Sequence, residues 1–155
     1  MSAHFDLDEH FKTTAARDVA AMLLGECLGY GTYRAVFKHA LDDTLIVKVE
    51  NGERCFSNII EYEVWECVKE TEFAEWFAPV VAISPCGIAL VMRKTTPMSE
   101  HDLPAKVPSF FTDLKAENFG RLDGRVVCHD YGCNLLMEKG MSKRMRKVDW
   151  TLYHD

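Results

Sequence analysis

From about residue 26 the hydrophobic period shortens from that of a helix to that of strands, and successive apolar runs are joined by very short turns. Strands joined this way pair antiparallel, because a parallel connection needs a dozen or more residues. Runs at 26–28 and 33–39 flank Gly29-Tyr30-Gly31-Thr32, and a third follows at 44–50, where Leu45, Val47 and Val49 alternate with Ile46, Lys48 and Glu50. Residues 78–84 and 87–92 read as a hairpin around Pro85-Cys86-Gly87. Runs at 118–122 and 125–129 meet at Asp123-Gly124, a strong hairpin signal.

Two helical stretches interrupt this plan. The first is expected from Thr13, with Thr13 or Thr14 as its cap, Val19, Met22 and Leu23 on one face and Gly25 as its stop. The second is expected from an Asn58 cap to about Glu70. On it Ile60, Val64, Cys67, Val68 and Thr71 form an apolar arc, Glu61 falls on the edge of that arc, and Glu63, Glu66 and Glu70 face water. A carboxylate turned toward a sheet needs a partner, since burying it alone costs several kcal/mol. Lys48 is the natural one; the alternative is that Glu61 completes a capping box with Asn58. Residues 1–12 are expected to be loosely held, 51–57 to form a loop and 93–109 to be mainly connection. The order gives an α+β fold, an antiparallel sheet with one packed helix.

Composition excludes several classes. The chain of 155 residues carries a formal charge of −6, which argues against a general nucleic-acid or anionic-membrane binder. No apolar run reaches the ~20 residues that span a bilayer, and there is no signal-peptide pattern, so a soluble cytoplasmic protein is expected. The six cysteines show no C-x-x-C pair, so free thiols are expected. Lys139, Lys143, Arg144, Arg146 and Lys147 form a basic stretch, either a solvated tail or a phosphate- or partner-contacting patch.

Phosphoryl transfer from ATP needs a pliable backbone near the phosphates, a cation, acids to hold Mg²⁺ and a carboxylate near the incoming hydroxyl. Each has a candidate in order. Gly29 and Gly31 lie in a strand–turn–strand ending at Val36; Lys48 lies in Leu45-Ile46-Val47-Lys48; Asp113-Leu114-Lys115-Ala116-Glu117-Asn118 is followed, after the hairpin, by Asp130-Tyr131-Gly132. These segments resemble the glycine-rich loop, the V-A-I-K strand, the catalytic loop H-R-D-L-K-x-x-N and the D-F-G motif of the protein-kinase superfamily. The resemblance spans residues 26–132 and implies an N-terminal extension over 1–25, a nucleotide lobe over 26–95 and a reduced second lobe over 96–155.

By that resemblance Gly29, Gly31, Val36, Ile46, Lys48 and the backbone at Met92 would bind ATP. Lys48 and Glu61 would pair, Asp113 would be the base, Lys115 would offset phosphoryl charge, and Asn118 with Asp130 would hold Mg²⁺. Three departures stand out. Phe111-Thr112 replaces the family's His-Arg, Arg34 stands where the third glycine would be, and only 23 residues follow Gly132, too few for the helical lobe that docks peptides. The first reading is therefore a minimal ATP–Mg-dependent phosphotransferase acting on a hydroxyl of a protein or small molecule. The second is a non-catalytic kinase-like module, a pseudokinase, that regulates a protein partner. Such economy of length would suit a phage or mobile-element protein, and an exposed apolar face would point to a homodimer or complex.

Overall fold

The computed structural model describes residues 9–51 and 55–152, and is α+β. Helix α1 (Glu9–Leu23) leads into β1 (Leu24–Tyr30), β2 (Arg34–His39) and β3 (Leu45–Glu50). Helix α2 (Ser57–Val68) and a 3₁₀ turn (Glu72–Trp76) precede β4 (Val80–Ile83) and β5 (Ala89–Arg93). The five strands form one antiparallel sheet in the order β1-β2-β3-β5-β4. Among the described residues of the second half, β6 (Lys106–Pro108) pairs with β9 (Met145–Lys147), β7 (Phe119–Leu122) pairs with β8 (Arg125–Cys128), and the α-helix α3 (Leu136–Lys139) has four residues.

The register sorts the side chains of the sheet. Lys48 pairs with Val36 and Leu90, and Ile46 pairs with Met92, so these five residues share one face. Val47, opposite Phe37 and Val91, points the other way. Helix α2 covers the Lys48 face through Val64 and Val68, both fully buried. Helix α1 lies against the other face, where Ala16, Val19, Leu23, Val49 and Ala89 line an open groove of about 470 Å³.

Several helix boundaries differ from expectation. Helix α1 begins at Glu9, ahead of Thr13 and Thr14, and Gly25 lies inside β1, where a Cβ would stand 3.0 Å from the Lys38 carbonyl oxygen. Helix α2 starts after Phe56, held at φ 58°, and ends at Val68. Asn58 is not its cap. It is fully buried, and its Nδ2 donates to the carbonyls of Lys48, Gly87 and Ile88, stapling the helix to β3 and the β4–β5 turn. The capping acceptor comes from the sheet: the Glu50 carboxylate takes the Asn58 N–H at 3.1 Å, the favourable charge for a helix N-terminus. Glu61 therefore makes no capping box; it occupies the centre of the buried face, and Cys67, expected inside, is exposed.

The Asp123-Gly124 turn forms as read, with φ of 49° and 78°, the left-handed pair that a two-residue hairpin demands. Thr96 and Arg121 exchange backbone hydrogen bonds of 2.9 Å, which joins the chain after β5 to β7. Gly120 makes this approach feasible, because a Cβ there would stand 2.5 Å from Thr95 Oγ1 and 3.0 Å from the Thr96 carbonyl. Gly120→Ala is expected to lose roughly 1–3 kcal/mol through overpacking, read as a lower urea midpoint. The exposed neighbour Arg121→Ala should leave that midpoint nearly unchanged.

Candidate functional site

The residues singled out from the sequence converge on one buried carboxylate. Glu61 and Lys48 are 0% and 2% exposed, and the lysine Nζ donates to both carboxylate oxygens at 3.0 Å. Its remaining proton goes to the His129 carbonyl, so Glu61 and His129 saturate the ammonium. Glu61 Oε1 also accepts from the Tyr131 backbone N–H at 3.1 Å. Strand β3, helix α2 and the segment after β8 thus meet through one side chain.

A fourth contributor was absent from the expected set of site residues. Arg34, at the position of the missing third glycine, reaches inward from the start of β2. Its Nη2 donates to Glu61 Oε1 at 2.9 Å and to Asp130 Oδ1 at 2.5 Å, and its Nη1 donates to Asn58 Oδ1 at 3.2 Å. Burial opposes its charge, but the Glu61 carboxylate, by charge and hydrogen bond, and then Asp130 outweigh burial and raise the guanidinium pKa further. The sequence did carry a signal: an arginine beside a glycine turn, on the sheet face that a buried glutamate must also occupy.

The catalytic-loop-like segment is anchored beside this network. Asn118 is buried, and its Nδ2 donates to the Asp113 carbonyl at 3.1 Å, while its own carbonyl accepts the His129 N–H at 2.8 Å. The Asp113 carboxylate has no hydrogen bond or ion pair among the described residues. Asp113 and Asp130 both lie near the Cys133 thiol, whose pKa is raised first by burial and then by these two carboxylates. Lys115 is partly buried. Phe111, in place of the family's histidine, packs 5.1 Å from Phe77 and 5.7 Å from Phe119 between ring centroids.

The expected nucleotide-lining residues Val36, Ile46 and Met92 stand side by side on the Lys48 face, with Ile46 and Met92 buried and Val36 packed against them. Gly29 and Gly31 close the β1–β2 turn. Neither has a left-handed φ, a Cβ on Gly29 would meet nothing within 4 Å, and one on Gly31 would meet only the Arg34 carbonyl at 3.6 Å. The fold itself does not require glycine at either place.

A divalent cation between Asn118 and Asp130 would compete with Arg34 for Asp130 Oδ1. The Nδ2 bond of Asn118 to the Asp113 carbonyl leaves its Oδ1, the atom a cation would meet, uninvolved in that bond, and no group of three or more His, Cys, Asp or Glu side chains converges among the described residues.

Lys48→Met should cost on the order of 3 kcal/mol, because breaking a buried pair leaves a buried charge short of a partner. Lys48→Met combined with Glu61→Leu should recover much of that loss in urea titrations; a single variant as stable as wild type would remove Lys48 from the network. His129 supplies a pH test. Burial, then the Lys48 charge, pushes its pKa down to about 4 from an ordinary value near 6.5. Its neutral form is the folded one, so this contribution is complete above the unfolded value and is lost as pH falls toward the folded one. Up to about 2 kcal/mol should disappear between pH 7 and 5, and His129→Gln should flatten that slope.

No family model matches the chain, and no curated protein matches it. Among solved structures, the ternary complex of APH(2")-IIa with streptomycin and ATP is similar over 60% of this chain, at 18% identity and a TM-score of 0.39. The aligned region spans 30% of that chain. No helix among the described residues is long and apolar enough to cross a membrane.

Proposed function

We propose that this chain is a minimal kinase-like phosphotransferase that binds ATP on the Lys48 face of the sheet and transfers the γ-phosphoryl group to a hydroxyl of a protein or small molecule. The observation that carries the reading is the Asp113 carboxylate. It is held in place through its own backbone by Asn118, yet it makes no hydrogen bond or ion pair with the described residues. A carboxylate with no folding role, in the same neighbourhood as Asp130, is suited to accept a proton.

In this reading the adenine sits against Val36 and Ile46, with the backbone near Met92 at its edge. The turn at Gly29 and Gly31 lets main-chain N–H groups approach phosphate oxygens. Asp113 takes the proton of the acceptor hydroxyl as its oxygen bonds to the γ-phosphorus. The bond from the γ-phosphorus to the β,γ-bridging oxygen breaks, and ADP leaves with that electron pair. Lys115 offsets the charge on the transferring group, and Lys48 with Glu61 keeps the sheet and helix in register behind it. An ATP-using protein of this kind would work in the cytoplasm.

A second reading is favoured by one specific observation, the saturation of Lys48 by Glu61 and His129. A lysine so engaged is a structural tie, as expected of a non-catalytic module that regulates a protein partner. Calorimetric titration with ATP and labelled γ-phosphate assays separate the two. The phosphotransferase should bind ATP saturably, and Asp113→Asn should keep that binding while losing turnover by roughly a hundredfold or more. Gly31→Ala should fold normally and bind more weakly. Absence of binding at millimolar ATP would leave the partner-binding module.

A further inference from the structure

We propose that Arg34 is the resident cation of the phosphate site, occupying at Asp130 the place a divalent metal would take, so that a nucleoside triphosphate binds without added metal. This inference rests on the nucleotide reading above. A triphosphate brings several negative charges into a site, and these need nearby positive charge. Lys48 cannot supply it freely, because its donors are already spent inside the protein. The half-exposed Asp130 would repel a phosphate if it stood alone.

Arg34 addresses both problems. Its guanidinium neutralises Asp130 and sits at the edge of the buried network, with its side chain 10% exposed. Of its five N–H donors, Glu61, Asp130 and Asn58 take three, two on Nη2 and one on Nη1. The Nε–H and the second Nη1–H have no partner among the described residues. Both bidentate edges of a guanidinium include Nη2, whose protons are taken, so these two remaining donors would meet phosphate oxygens singly. The same group that competes with a divalent ion for Asp130 therefore has donors left for an anion. Arg34 also begins the strand directly after the turn at Gly29 and Gly31, and its carbonyl accepts the Gly31 N–H at 2.7 Å.

The protein's own network is neutral before a ligand arrives. Arg34 and Lys48 carry two positive charges, Glu61 and Asp130 two negative ones, and a cation brought to Asp130 would displace a guanidinium already paired with two carboxylates. Removing Arg34 should therefore reveal a metal requirement. With glycine at position 34, Asp130 is released and the third glycine of the family pattern is restored.

The test titrates purified protein with ATP by calorimetry in EDTA and again with excess Mg²⁺, using wild type, Arg34→Gly and Arg34→Lys. Mn²⁺ binding without nucleotide is followed in parallel by electron paramagnetic resonance. Wild type should bind ATP with dissociation constants within about twofold in EDTA and Mg²⁺, and Arg34→Gly should weaken at least about tenfold in EDTA and recover when Mg²⁺ is added. Arg34→Gly should also gain a saturable Mn²⁺ site that wild type lacks. Arg34→Lys, which keeps the charge and has three donors in place of five, should bind ATP more weakly than wild type while remaining independent of Mg²⁺. Circular dichroism confirms that each variant folds. ATP binding by wild type that vanishes in EDTA, or a tight Mn²⁺ site in wild type, would overturn the inference while leaving the nucleotide site intact. No ATP binding under either condition would overturn both.

Discussion

The buried carboxylate of Glu61 is the constraint on which the rest of the structure depends. An ionised group with no exposure is tolerated only if its lone pairs are satisfied by well-placed donors. Here Lys48 comes from β3, Arg34 from β2 and the Tyr131 N–H from the segment after β8, and all meet on a residue of α2. None of these elements can shift alone without exposing a charge to an apolar interior. Asn58 reinforces the same junction one turn earlier, tying α2 to β3 and to the β4–β5 turn. A helix packed on a sheet by Val64 and Val68 alone could slide or rotate, whereas these polar ties specify one register.

The network also sets the chemistry that the site can do. In the protein-kinase pattern the third glycine removes bulk from the loop, and the acid of the D-F-G segment remains available to metal. Arg34 stands at that third position, and its Nη2 donates to Asp130 Oδ1. Aspartate 130 is also held in a defined place. The next residue, Tyr131, is fully buried, donates its hydroxyl to the Ala78 carbonyl at 2.8 Å, and stands edge-on to Phe77 at 4.9 Å. Phe110, Phe111 and Phe119 extend that aromatic layer under the catalytic-loop-like segment. The positions of Asp113 and Asp130 are thus set by ring packing in a second half that has little regular secondary structure.

Much of this was legible from periodicity. The five strands of the main sheet and the β7–β8 hairpin follow from alternation and turn residues, since both are local properties. The Lys48–Glu61 pair was legible because a carboxylate near a buried face must be compensated, and one lysine lay mid-strand. Helix α1 was misplaced at its start, where Thr13 or Thr14 was read as the cap, while its end at Leu23 falls just ahead of Gly25, as expected. Such signals describe preferences of isolated segments, and here the pairing of β1 with β2 takes in Gly25 itself. Asn58 was misread for the opposite reason. A residue that prefers helix caps can serve equally well as a buried connector once sheet carbonyls lie within reach. Its true competitor for the cap, Glu50, is eight residues away on another element, beyond any local pattern.

Arg34 marks the boundary of sequence reading more sharply. In the sequence it stood only as a departure from a glycine pattern, and its place on the sheet face shared with Glu61 named no partner for it. What orients it is charge placed 27 and 96 residues away, on Glu61 and Asp130. Neither carboxylate alone accounts for its position, since one is sealed in the core and the other is half in water. Together they form a gradient from interior to surface along which a planar, multi-donor cation fits better than an ammonium. The guanidinium, on the strand that follows the glycine turn, touches both the core carboxylate of Glu61 and Asp130 of the D-Y-G segment. Any ligand that draws on its remaining donors therefore acts on both at once, and couples what happens at the mouth of the site to the carboxylate that holds the fold together.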